Sequence, residues 1–510
     1  MIEGMQEALD TLFTGNNWML PILGTVLGLV IGAMPGLGPA AGIALIIPIT
    51  YGWEPEQAFL LMASMIGGTS FAGSITAILV NTPGESSNAA TLLDGYPMAK
   101  KGQASTALSI SAFSSAVGAI FGLAVFMAVL PASRALILRI SYPETFMIGV
   151  VGLFIIALIS RGSVVKGMIA GGLGFMLSFV GRDLITGQAR FTFDSLFLED
   201  GIDYIAVLIG LFALSEAISL LLEPTVPAAE RKLGARAHWR QIRQGVVICC
   251  RYPKVLLQSS AIGTICGIIP GVGGSVSSFM AYAAAKQSAK DPEKFGTGDP
   301  RGVVAAEAAN DAKDGGALLP TVALGLPGSP VWAVILGAFL VHGLAPGQEM
   351  LTEHLDVVFL IICGLLISNI LTSVIGLAVS PVLAPIARMP GVYVSPVIFV
   401  IALLGAYTIG LRSGDIVVAM VAGGAGFILK KYGFSLVPIV IGLILGQIVE
   451  RSLGQTLLTL GPGALLTRPI SLSIFLIGAL AFSAPLLRKA LARRRGARGN
   501  QESEKDEVSS

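Results

Sequence analysis

The chain has 510 residues, of which 54% are hydrophobic and only 13% charged, with a mean hydropathy of +0.80 and a formal net charge of +2. A soluble protein of this length needs about twice that share of charged residues to cover its surface, so a soluble globular fold is excluded. The near-zero net charge identifies no class of partner.

The first segment, MIEGMQEALDTLFTGNNWML, has no basic stretch and no small-residue cleavage site, so no cleaved signal peptide is expected. Apolar runs then follow at Trp18–Ala33, Ala58–Val80, Ala104–Leu130, Phe146–Ile159, Ile202–Leu222, Val357–Val379, Val394–Leu411, Leu436–Val449 and Ile470–Leu487. Many have the roughly 17–25 residues that cross a bilayer core. They are continuously apolar rather than alternating, which argues against a membrane β-barrel. The expected fold is an all-α polytopic integral membrane protein.

Two apolar stretches are broken at their middle, VIGAMPGLGPAAGIALIIPIT at Val30–Thr50 and TICGIIPGVGGSVSSFMAYAA at Thr264–Ala284. Three further pairs match in the same order: LVNTPGES with ALGLPGSP, MIAGGLGFML with MVAGGAGFIL, and VLIGL with IVIGL. They divide the chain into a first transmembrane repeat at 1–225, a basic cytoplasmic linker at 226–250 and a second repeat at 251–455. An extra C-terminal helix at 456–488 and a disordered cytoplasmic tail at 489–510 complete it.

Arg231, Lys232, Arg236, Arg240, Arg243 and Arg251 place the linker in the cytoplasm, and the Arg-rich tail follows the same rule. The acidic N-terminus lies outside. One helix beyond the second repeat then gives the two repeats opposite topology. Inverted repeats with interrupted helices are the pattern of secondary transporters, with broken helices or hairpins meeting near the midplane.

Each break frees backbone N–H groups at a positive helix end, and glycine lets the backbone approach a ligand. Two facing breaks would cradle an anion. The substrate-binding candidates are Pro35, Gly36, Gly38 and Pro39; Asn81, Thr82, Pro83, Gly84, Ser86, Ser87 and Asn88; Gly271, Gly273, Gly274 and Ser275; and Pro327, Gly328 and Ser329. Their glycines are expected to make room for the ligand. Ordinary extramembrane turns are the competing reading of any single break.

Thr69, Ser70 and Ser74 lie on an otherwise apolar helix, where small hydroxyls also serve close packing. Glu307 and Asp311 are one turn apart, followed by Lys313 and Asp314. Charges so grouped usually mark a water-facing helix start. The alternative is an ion or proton site. Thr69, Ser70, Ser74, Asn310 and Asp311 are therefore cation-coupling candidates. Four cysteines and three scattered histidines have no metal spacing, and no phosphate-binding loop, metalloprotease or serine-hydrolase motif occurs. No catalytic residue, metal or cofactor is expected beyond a coupling ion, Na+ or H+.

PGLGP, GGTSFAGSITAILVNTPGE, LLDGYPMAKKGQA, PGVGG and EAANDAKDGGALLPTVALGLPGSP together resemble the large permease subunit, TctA type, of tripartite tricarboxylate transporters. The resemblance runs from about Gly24 to Arg488. It implies a multi-pass protein of the bacterial inner membrane. It further implies a small membrane subunit (TctB type) and a periplasmic solute-binding protein (TctC type) as partners. Ion-driven uptake of citrate-like or other carboxylates is the implied activity. The alternatives are a stand-alone carboxylate symporter and a membrane enzyme acting on a lipid-linked substrate.

Overall fold

The computed structural model describes residues 1–34, 36–159, 163–183, 186–222, 235–386, 389–476 and 478. Among them the only strands are the short ribbon Gly181–Arg182 with Ala189–Arg190. In the first half the helices are α1 (Ile2–Phe13), α2 (Met19–Gly32), α3 (Pro39–Thr50), α4 (Pro55–Val80) and α5 (Ala89–Lys100). Then come α6 (Ala104–Ile137), α7 (Tyr142–Ile159), α8 (Val164–Leu177) and α9 (Tyr204–Leu222). The second half contributes α10 (Ala235–Arg251), α11 (Pro253–Ile268), α12 (Gly273–Ser288), α13 (Pro300–Leu324) and α14 (Pro330–Val341). It continues with α15 (Leu355–Ser380), α16 (Gly391–Gly410), α17 (Ser413–Lys431) and α18 (Val437–Thr459). Among the described residues seven helices, α4, α6, α9 and α15–α18, are long and apolar enough to cross a membrane.

The helix formed by the run Trp18–Ala33 is shorter than a single crossing needs. This helix, α2, has 14 residues, about 21 Å at the standard rise and short of the roughly 30 Å hydrocarbon core. α2 ends at Gly32, Gly36 turns the chain at φ +87°, and α3 returns. α2 runs in the same direction as α4, with Gly24 at Leu61, Gly28 at Met65 and Gly32 at Thr69. α11 and α12 repeat this hairpin. Gly263 lies at Ala309, Gly267 at Lys313, and Gly271 turns the tip at φ +80°.

The second break in each half is also the same. α4 ends on Asn81 at φ 61° and α13 on Gly325 at φ 66°, the matching positions of LVNTPGES and ALGLPGSP. Both are left-handed caps, which Asn and Gly adopt most easily. After each cap the chain doubles back, so that Gly84 sits on Gly73 and Gly328 on Ala317.

The halves interlock. α4 packs on α15 and α13 on α6; α8 packs on α18 and α17 on α9. Ser70 faces Asp311 and Ser74 faces Glu307, so the matching helices α4 and α13 cross antiparallel. α6 meets α13 backbone to backbone: a Cβ on Gly118 or Gly122 would fall 2.2 or 2.3 Å from the Ala308 or Ala312 carbonyl oxygen. α10 occupies the end of the basic segment and packs on α6. The remainder of that linker, 226–234, lies outside the described residues together with 223–225, as do the tail 489–510 and most of Ile470–Leu487 beyond residue 476.

Candidate functional site

A cavity of about 630 Å³ lies where the two hairpin tips and the two breaks meet. Gly36, Gly38 and Pro39 line it from the first tip, and Gly271, Gly273, Gly274 and Ser275 from the second. Pro83, Gly84, Ser86, Ser87 and Ser329 line it from the breaks. Four helical segments start at its wall: α3 at Pro39, the turn into α5 at Ser86, α12 at Gly273 and α14 at Pro330. Their first N–H groups have no intrahelical acceptor, and their dipoles favour negative charge. Such ends suit an anion.

Five candidates stand off this wall: Asn81, Thr82, Asn88, Pro327 and Gly328. Asn81 is a helix cap, and Asn88 turns away to bond the Ser74 hydroxyl at 2.8 Å. Pro35 lies outside the described residues. The glycines of the second breaks serve packing. A Cβ on Gly84 would lie 2.4 Å from Gly73 Cα, and one on Gly328 2.5 Å from the Gly267 carbonyl oxygen. The space they leave is filled by their own chain.

The wall carries four charged residues among those described: Glu85, Lys313, Glu216 and Lys430. Lys313 Nζ donates to Asp314 Oδ2 at 3.0 Å, whose other oxygen accepts from Trp332 Nε1 at 3.0 Å. Gly274 admits the lysine stem, since a Cβ there would lie 2.4 Å from Lys313 Cε. Glu216 on α9 pairs with Lys430 on α17 at 2.6 Å. Phe212, in a π-helical stretch of α9, completes that side.

Behind the cavity, α4 and α13 share a buried polar cluster. Glu307 is its hub. Its carboxylate accepts from Ser74 at 2.8 and 2.9 Å, Ser111 at 2.9 Å, Ser115 at 3.1 Å and also Thr91. Asp311 Oδ1 accepts from Ser70 at 2.8 Å, and Asn310 Nδ2 donates to that same hydroxyl at 3.1 Å. Asn310 Oδ1 is buried without a donor. Glu307 and Asp311 are 1% and 3% exposed in the middle of the 25-residue α13, so the water-facing helix start does not hold. Ser70, Ser74, Asn310 and Asp311 come together as a group. Thr69 does not join them: its hydroxyl bonds the Met65 carbonyl at 2.7 Å.

Sequence reasoning passed over Asp94. Its Oδ1 accepts the backbone N–H groups of Gly296, Gly298 and Asp299 at 2.7–2.8 Å, and its Oδ2 the Tyr282 hydroxyl at 2.8 Å. One carboxylate of the first half thereby fastens the loop that leads into α13. Asp94→Ala should cost about 2–4 kcal/mol by orphaning these donors, whereas Asp94→Asn, which retains one oxygen acceptor, should cost about half as much. Thermal unfolding of the purified variants reads the difference; equal losses would contradict this assignment.

A family model described as the tripartite tricarboxylate transporter TctA family matches residues 19–441. Two similar proteins of Agrobacterium vitis were found. One, described as an uncharacterized 52.8 kDa protein in the TAR-I ttuC′ 3′ region, is 31% identical over 482 residues, covering 94% of this chain and 95% of its own. The other, an uncharacterized protein in the TAR-II ttuC′ 3′ region, is 30% identical over 227 residues, covering 44% of this chain and 94% of its own. No solved structure matches.

Proposed function

We propose, since the chain belongs to the tripartite tricarboxylate transporter TctA family, that it works as the large permease subunit of a secondary transporter importing tricarboxylates or related carboxylates. The observation that carries this reading is the cavity at which helix starts from both halves meet beside Lys313. Free N–H groups and a lysine at one wall are the donors that carboxylate oxygens take. The buried Ser70, Ser74, Asn310 and Asp311 group, with Glu307, is the candidate seat of the coupling ion, Na+ or H+. Only polar groups buried inside a bundle act there without contacting lipid.

In this reading the halves have opposite topology, and one bundle moves against the other in alternating access around the cavity. The partners are a small membrane subunit of the TctB type and a periplasmic solute-binding protein of the TctC type, in the bacterial inner membrane. The decisive experiment is uptake of labelled carboxylates into proteoliposomes holding the membrane subunits, with and without the binding protein and with imposed Na+ or H+ gradients. Uptake that needs both the gradient and the binding protein supports the reading. Gradient-driven uptake without any binding protein makes the chain a stand-alone symporter, and no carboxylate uptake at all overturns the proposal. Topology is read separately. A cysteine placed at Arg240 on α10 should react with a membrane-impermeant reagent only from the cytoplasmic side; labelling from outside removes the inverted arrangement.

A further inference from the structure

The two breaks carry the same Pro-Gly pair but differ at the next residue, which is Glu85 in the first half and Ser329 in the second. Both face the cavity. Ser329 is 2% exposed, and its hydroxyl has no partner. Glu85 is the opposite case. Its carboxylate accepts from the Ser87 hydroxyl and from the backbone N–H of Asn88, where the turn into α5 begins. Ser87 Cβ and Lys313 Cε both crowd the point where a Cβ of Gly274 would stand, at 2.8 and 2.4 Å. The lysine stem therefore runs beside the turn that Glu85 caps.

A backbone N–H at a helix start, a hydroxyl and a nearby ammonium are what a carboxylate ion binds. Here the chain's own carboxylates take them: Glu85 holds the hydroxyl and the N–H, and Asp314 holds the Lys313 ammonium. Across the cavity Glu216 and Lys430 neutralise each other. Lys313 is paired with Asp314 and Lys430 with Glu216, so the described wall offers no surplus cation to a multiply charged solute.

We propose that Glu85 holds the seat of a solute carboxylate until a solute displaces it and sets how much negative charge the cavity accepts, an inference that rests on the carboxylate-permease reading. A solute carboxylate displaces Glu85 from Ser87 and Asn88. The displaced glutamate stays close, and its repulsion grows with the charge of the incoming solute. The unpartnered Ser329 hydroxyl receives a solute oxygen on the other side.

The test is direct binding of propionate, succinate and citrate to the full-length protein in lipid nanodiscs at neutral pH, read by titration calorimetry. Glu85→Gln should tighten all three, with a gain that grows on the order of tenfold for each added solute charge and shrinks with salt. Ser87→Ala leaves every charge in place and removes a hydroxyl that Glu85 and the solute carboxylate use in turn, so it should change all three affinities by one small, common factor. Unchanged or weaker binding in Glu85→Gln, or a gain that ignores solute charge, overturns the proposal. A Ser87→Ala effect that grows with solute charge also overturns it, because the charge dependence then does not belong to Glu85. Should Glu85→Gln fail to give monodisperse protein, Glu85→Asp decides. It is a methylene too short to hold the seat and should tighten propionate, and wild-type affinity there counts against the proposal. If neither the wild type nor any variant binds any of the three, the carboxylate reading itself fails; if the wild type binds and the variants do not differ, only the role of Glu85 does.

Discussion

Glu307→Ala should lose coupled uptake altogether and about 3–5 kcal/mol of stability. The carboxylate is the shared acceptor of the Ser74, Thr91, Ser111 and Ser115 hydroxyls, all of them buried. Removing it strands these donors where water does not reach, and each orphaned group costs about 1 kcal/mol or more. Glu307→Gln separates packing from function. Its amide keeps one acceptor and the shape, and rotating hydroxyls can accept from its NH2, so most of the stability should return. The charge does not return, so uptake against a gradient should stay down by about a hundredfold, the scale of a hydrogen bond to a charged group. Asp311→Asn should act in the same direction and less strongly, since fewer hydroxyls reach it than reach Glu307. Uptake assays alongside thermal unfolding decide the matter. Wild-type ion dependence in both Glu307→Gln and Asp311→Asn would falsify the coupling role and leave the cluster a purely structural network.

The second large effect belongs to the breaks. Gly84→Ala and Gly328→Ala should each destabilise by about 3 kcal/mol or more, because the new methyl meets backbone rather than a yielding side chain. For Gly84 the obstacles are Gly73 Cα at 2.4 Å and the Gly32 carbonyl oxygen at 3.1 Å; for Gly328 they are the Gly267 oxygen at 2.5 Å and Ala317 Cβ at 2.6 Å. These are corresponding neighbours in the two halves, so the two losses should be similar. Gly38→Ala is the contrast. Its φ is −75°, and its nearest obstacle is Glu85 Cβ at 3.2 Å. That variant should fold and alter solute affinity instead. Normal melting of Gly84→Ala would restore the view that its missing side chain makes room for a ligand.

Much of the architecture was legible because Pro and Gly act locally. A Pro-Gly pair inside an apolar run favours a helix end, and residues of the matching breaks line one cavity. The reach of α2 was not legible. Hydropathy cannot separate a hairpin arm from a crossing helix when both are apolar to the tip. α13 was hidden for the converse reason. Glu307, Asp311, Lys313 and Asp314 lower its hydropathy, yet all four are buried. Their partners are hydroxyls of α4–α6 and an indole on α14, far away in sequence, and no local pattern carries that information. Glu85 and Lys313 went unselected although they face the cavity, because charge in a loop reads as solvation until the opposite wall is known. Asp94 had no signal at all, since three of its bonds come from backbone.

The division of the Glu307 network between halves also has a consequence for how the protein is made. Its hydroxyl donors come from α4, α5 and α6, its acceptor from α13, and Ser115 precedes Glu307 by 192 residues. At a synthesis rate of about 5–20 residues per second, the first half waits in the membrane for roughly 10–40 seconds before its acceptor emerges from the ribosome. Throughout that interval the glycine seam of α6 is unfilled and four hydroxyls lack their ligand. The nascent first half is therefore an exposed folding intermediate. Its four hydroxyls can be satisfied by Glu307 only once α13 has entered the membrane, so the first half cannot complete its own buried network alone.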